Sequence, residues 1–95
     1  MHAAVRKYRT TDIDALVRKV EEEFSPQVQG VDGFVGYYVI DGGNGAAASV
    51  TVGETEAAVI ETTRLAAEWV KASAAHLVEG SPEVTAGEVR VRAER

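Results

Sequence analysis

The sequence predicts an α+β fold with the element order β-α-β-β-α-β, in a single domain over residues 1–95. Three observations carry this. Two segments place apolar residues at helical spacing, one near each third of the chain. The stretch between them is aromatic and β-branched and folds back on itself through a glycine-rich turn. Short alternating segments stand at both ends.

Residues 2–9 read as the first strand, with Val5 and Tyr8 in its alternating pattern. In "TTDID", Thr11 and Asp14 have the spacing of a capping box, and the acids suit a helix start. Ile13, Leu16, Val17, Val20 and Phe24 then recur at i, i+3, i+4, i+7 and i+11, which is one face of a helix. Ser25-Pro26 is expected to end it, because the residue before proline disfavours helical backbone. "QVQGVDG" is a loop. "FVGYYVID" is a strand with Gly36 as a bulge or a point of close approach. "DGGNG" (Asp41 to Gly45) supplies the residues that tolerate the positive φ of a hairpin turn, and "AAASVTV" returns as the partner strand. The second helix is expected over 54–78. Val59, Thr63, Ala66, Val70 and Leu77 point at the sheet, and Ala58, Leu65, Trp69 and His76 form a flanking stripe. "EGSPE" breaks that helix, and "VTAGEVRVRAER" closes the chain as the last strand.

Two right-handed crossovers around a central hairpin give the ferredoxin-like arrangement. It is a four-stranded antiparallel sheet with both helices on one face. The first and last strands then lie side by side, which is expected to bring Arg6, Lys7 and Arg9 near Arg90, Arg92 and Arg95. Those are six of the ten basic residues. They form either a basic strip for an anion or partner, or charges that pair with Glu88 and the helix acids and protect strand edges. The sheet face without helices needs cover if it is apolar. Pairing two such faces, as a homodimer that closes into an α+β barrel, supplies it.

The totals narrow the functional classes. A net charge of −5 argues against general nucleic-acid binding. No apolar run approaches the roughly 18 residues of a membrane span, and "MHAAVRKYRT" lacks the apolar core of a secretion signal. No membrane partner and a cytoplasmic location are therefore expected. The absence of cysteine removes thiolate chemistry and Cys-ligated metal sites. Two histidines and scattered acids show no metal-ligand spacing, and the glycines after Asp41 precede a strand, so they cradle no phosphate.

"GFVGYYVID", the glycine hairpin, "SVTV" running into an acidic helix start, "AAEWV" (Ala66 to Val70) and "VTAGEV" (Val84 to Val89) together resemble the dimeric α+β barrel superfamily. Within it, they resemble the antibiotic-biosynthesis-monooxygenase-like domains. The resemblance implies a homodimer with a cavity between sheet and helices in each subunit. It implies one of several roles: cofactor-independent oxygenation of polyketide-derived phenols and quinols, haem degradation, or no catalysis. The polyketide-type members surround the substrate with an asparagine, a tryptophan and an arginine. Trp69 matches in type and place, whereas Asn44, the only asparagine, sits in the hairpin. Many relatives carry an aromatic residue where this chain has Gly53.

The candidate ligand-binding residues are accordingly Trp69, His76, Tyr37, Tyr38, Gly53, Arg6 and Arg90, with no bound cofactor or metal expected. Trp69 and His76 lie two helical turns apart, about 10 Å along the axis. Trp69 either walls an aromatic pocket or edges the core. His76 is either an acid, base or haem ligand, or a surface residue favoured by the helix C-terminus. Tyr37 and Tyr38 are adjacent, so one faces the helices and the other faces away; Tyr8 is a similar candidate. Arg6 and Arg90 are the candidates for an anionic oxygen. Gly53 either relaxes the strand-to-helix junction or enlarges the cavity. Two functions stay open: an enzyme acting on a small aromatic ligand, and a non-catalytic dimeric binding or structural module.

Overall fold

Register and alternation decide which side chains meet in this chain. The computed structural model describes residues 1–95. Strands β1 (His2–Thr10), β2 (Phe34–Gly43), β3 (Ala46–Gly53) and β4 (Val78–Glu88) form one antiparallel sheet in the order β2-β3-β1-β4. This is the ferredoxin-like arrangement, with β1 beside β4. Residue parity sorts the two faces. Along β3, the buried residues Ala47, Ser49, Thr51 and Gly53 alternate with less buried ones, so the odd positions face the helices. No helix is long and apolar enough to cross a membrane.

The first helical segment runs further than expected. Helix α1 (Ile13–Lys19) starts at Asp12, whose carboxylate accepts from the Ala15 N–H at 3.1 Å, one residue past the anticipated cap. Thr11 instead donates from its hydroxyl to the His76 carbonyl at 3.2 Å, tying the first helix to the end of the second. A π-turn (Val20–Phe24) follows, then α2 (Ser25–Val28). Ser25-Pro26 does not end the helix, because Pro26 lies in the first turn of α2, where a missing N–H is tolerated. The π-turn widens the backbone just before it, with the Ser25 N–H bonding to the Val20 carbonyl five residues back.

Helix α3 (Glu56–Trp69) is capped by Thr55, whose hydroxyl oxygen accepts from the Ala58 N–H at 3.1 Å. It too widens, into a π-turn (Val70–Ala74), and closes in a 3₁₀ turn (Ala75–Leu77). Leu16, Val20, Phe24 and Val28 from the first helical segment meet Ala66, Trp69, Ala74 and Leu77 from the second. The contact is apolar throughout and forms the core. Thr62, fully buried and unanticipated as a core residue, satisfies its hydroxyl by donating to the Ala58 carbonyl at 2.9 Å.

The last strand is displaced from its expected span. The second helical segment does end just before "EGSPE", at Leu77, but that stretch lies inside β4, which ends at Glu88 rather than Arg95. As an edge strand, β4 tolerates Pro82 without losing a ladder bond. Lys7 pairs with Glu83 and Arg9 with Glu79, so Tyr8 alone faces the three residues Gly80, Ser81 and Pro82. Gly80 takes φ +67° and makes this bulge possible. Of the two readings of the basic segments, the strip does not form. Arg6 lies opposite Val84 and Arg9 opposite Glu79, while Arg90, Arg92 and Arg95 follow the end of the sheet. Arg92 pairs with Glu94 at 2.9 Å.

Candidate functional site

A cavity of about 100 Å³ lies between the inner face of the sheet and the two helical segments. Its apolar side is built from Leu16, Val20, Trp69 and Val70, and its lining extends to Gly80 and Pro82 of the β4 bulge. The two π-turns begin at Val20 and Val70, so the helices widen where they border the cavity. The polar side comes wholly from the sheet: Arg6 and Tyr8 on β1, Tyr37 on β2 and Ser49 on β3. Arg6 and Ser49 are direct cross-strand partners. Strand parity therefore gathers these four side chains, although they are far apart in sequence.

Trp69 is 7% exposed and stacks beside Phe24, with ring centroids 5.4 Å apart. Its indole N–H donates to the Glu23 carboxylate at 3.2 Å. Glu23 also accepts from Lys19 at 2.9 Å; Lys19 first, and then Trp69, hold its carboxyl below the usual range. The indole donor is engaged away from the cavity. What Trp69 presents to a ligand is apolar ring surface.

The tyrosines behave as neutral donors. Burial pushes the Tyr8 hydroxyl up to about 12, with Tyr37 adding to the rise and Arg6 opposing it. Burial likewise raises Tyr37, against the pull of Ser49 and Arg6. Arg6 takes part in none of the ion pairs of the chain. No aspartate, glutamate or histidine lines the cavity. The site thus offers one cation, three hydroxyls and no general base at neutral pH.

Of the seven residues singled out in the sequence, Trp69, Tyr37 and Arg6 meet at this cavity. The other four lie elsewhere. Tyr38 is 57% exposed on the opposite sheet face, with its ring lying over Gly36. His76 is exposed at the end of the second helical segment. Arg90 follows the end of β4. Gly53 is buried against α3 and lines no part of the cavity, so it does not enlarge it. Its φ is not positive either, so the strand-to-helix junction does not call on the positive-φ freedom that glycine offers. Haem, one option implied by the resemblance, does not fit: His76 faces solvent, and the cavity is well below the roughly 300 Å³ at which pockets for drug-sized ligands begin. Ser49, Leu16, Val20, Gly80 and Pro82 were not anticipated as site residues. For Ser49 the signal was present, since it shares inner-face parity with Thr51 and faces Arg6 in register.

No family model and no curated protein matches the chain. Solved structures do. The monooxygenase ActVA-Orf6 of Streptomyces coelicolor, in complex with nanaomycin D, superposes with a TM-score of 0.79 at 18% identity, over 99% of this chain and 91% of that one. SnoaB, a cofactor-independent oxygenase from Streptomyces nogalater, gives 0.75 at 11% identity, covering 99% and 97%. A protein of unknown function from Nitrosomonas europaea gives 0.76 at 15% identity, covering 99% and 93%. The chain shares the fold of the antibiotic-biosynthesis-monooxygenase-like domains that its sequence resembles.

Proposed function

We propose that the chain binds a small aromatic ligand in the cavity between sheet and helices and promotes its oxygenation without a bound cofactor. The observation that carries this reading is the cavity itself: one apolar side with an indole ring, and one side with only cationic and hydroxyl groups. A phenol with a free para position can react with O₂ to give a quinone and water. One oxygen atom enters the ring, the other leaves as water, and the ring supplies all four electrons. Arg6, Tyr8 and Tyr37 favour the ionised phenol, the form that gives electrons to O₂ most readily, by donating hydrogen bonds to its oxygen. With no base in the lining, the proton leaves to water. The fold shared with a cofactor-independent oxygenase supports this reading. The test follows quinone absorbance with candidate phenols and quinols in air. Turnover above the buffer rate that falls with Trp69→Phe is expected; rates equal to buffer for every candidate overturn the catalytic reading and leave a binding module.

A second element of the reading is self-association. On the face without helices, Tyr38 and Ile40 are 57% and 51% exposed. Tyr38 aligns across the sheet with Val50 and Val5, so the apolar strip spans three strands. A second copy of the same face is the occupant that matches an apolar strip to an apolar strip under two-fold symmetry. Light scattering on the eluting protein should give about twice the chain mass of 10.1 kDa. The double variant Tyr38→Arg, Ile40→Arg should give the single-chain mass. A native protein eluting at the single-chain mass refutes the dimer.

A further inference from the structure

Resting on the cavity-binding reading above, we infer that the ligand is a compact, single-ring arene that binds as an anion, its oxygen held by Arg6 and the Tyr8 and Tyr37 hydroxyls. Two independent observations define this class.

The first is size. An apolar cavity of about 150 Å³ holds benzene, whereas drug-sized ligands occupy pockets of roughly 300 Å³ and more. At about 100 Å³ this cavity is smaller still, so one ring is the most it accommodates and part of the ligand projects outward. Three fused rings do not fit without displacing Trp69, which lines the cavity and is buried in the core.

The second is charge. The guanidinium of Arg6 has no carboxylate partner and stands on the cavity wall. A neutral arene would dehydrate it without compensation; an anionic oxygen compensates it directly. The tyrosine hydroxyls remain protonated and supply further donors. The lining holds no group to take a proton from the ligand at neutral pH. Any proton on the ligand leaves to water, so the site favours a ligand acidic enough to lose it readily, an aryl carboxylate or an acidic phenol.

Calorimetric titration of the purified protein with benzoate, benzamide and anthracene-9-carboxylate tests this. Benzoate should bind saturably. Its neutral isostere benzamide should bind at least ~10-fold more weakly, as expected for loss of one charge-assisted contact. The three-ring acid should give no binding heat. Arg6→Met should weaken benzoate by a similar ~10-fold and leave benzamide unchanged, with Arg6→Lys intermediate because it keeps the charge and loses the fork. Far-UV circular dichroism of each variant identifies any that fails to fold. Equal binding of benzamide and benzoate overturns the anion. Binding of the three-ring acid while benzoate is silent overturns the size class and leaves the aromatic-cavity reading intact. Silence with all three probes overturns both.

Discussion

Gly53→Phe should yield no folded protein, and Gly53→Ala should lower stability by about 1–3 kcal/mol, the usual range for overpacking a close contact. A Cβ at residue 53 would stand 2.9 Å from the Ala58 Cβ, 3.1 Å from a Val59 methyl and 3.3 Å from the Thr55 carbonyl oxygen. None of these atoms is the end of a flexible side chain. Ala58 is 3% exposed in the first turn of α3 and is squeezed from a second side as well: a Cβ at Gly33 would lie 3.3 Å from the same atom. The loop before β2 is bound to the start of α3 by the Glu54 N–H, which donates to the Gly33 carbonyl at 2.7 Å. Three small residues therefore let β3, the loop and the helix meet at van der Waals distance. The space, rather than backbone φ, is what position 53 requires. Urea unfolding of Gly53→Ala measures the loss. Adding Ala58→Gly should recover most of it, less the roughly 1 kcal/mol that a glycine costs within a helix. A Gly53→Ala variant as stable as the native protein would refute the close-approach account.

The strand order, hairpin and both helical segments are legible in the sequence because each has a repeating signal over many residues. What the periodicity misses is instructive. Pro26 and Pro82 look like breaks, yet each sits where its missing N–H has no partner to lose: the first turn of α2 and an edge strand. The alternating Val89 to Arg92 segment looks like a strand, but in this chain β4 has already ended at Glu88. A strand needs a partner as well as a pattern, and the β1 ladder begins at His2. The site was half legible for a similar reason. Trp69, Tyr37 and Arg6 follow from helix stripe and strand parity. Gly53 shares β3 with Ser49 but sits at the strand's far end, and His76, although between the lining residues Val70 and Val78 in the chain, is exposed. Parity fixes the face but not the position along it.

Phe24→Ala should cost about 3–5 kcal/mol, against a total stability of about 5–14 kcal/mol for a domain of this length. Phe24 is 0% exposed and stands at the end of the first π-turn, where it fills the space behind two cavity residues. Its ring meets Tyr37 edge-on at 5.0 Å and Trp69 at 5.4 Å. Removing it takes away buried surface, leaves a void and unseats both neighbours, so the three costs add at one position. Each kcal/mol lost lowers the melting temperature by roughly 4–8 °C in a chain of this size. Phe24→Leu keeps most of the volume and should cost about 1.5 kcal/mol or less. It also gives Trp69 and Tyr37 room to withdraw. The leucine variant should therefore stay folded and bind 1-naphthoate, a two-ring acid, more tightly than the native protein does, with little change for benzoate. Thermal melts and the same calorimetric titration read both effects. Rejection of the two-ring acid by a folded Phe24→Leu variant would show that Phe24 does not set the depth of the cavity, and a melting temperature unchanged in Phe24→Ala would remove it from the core.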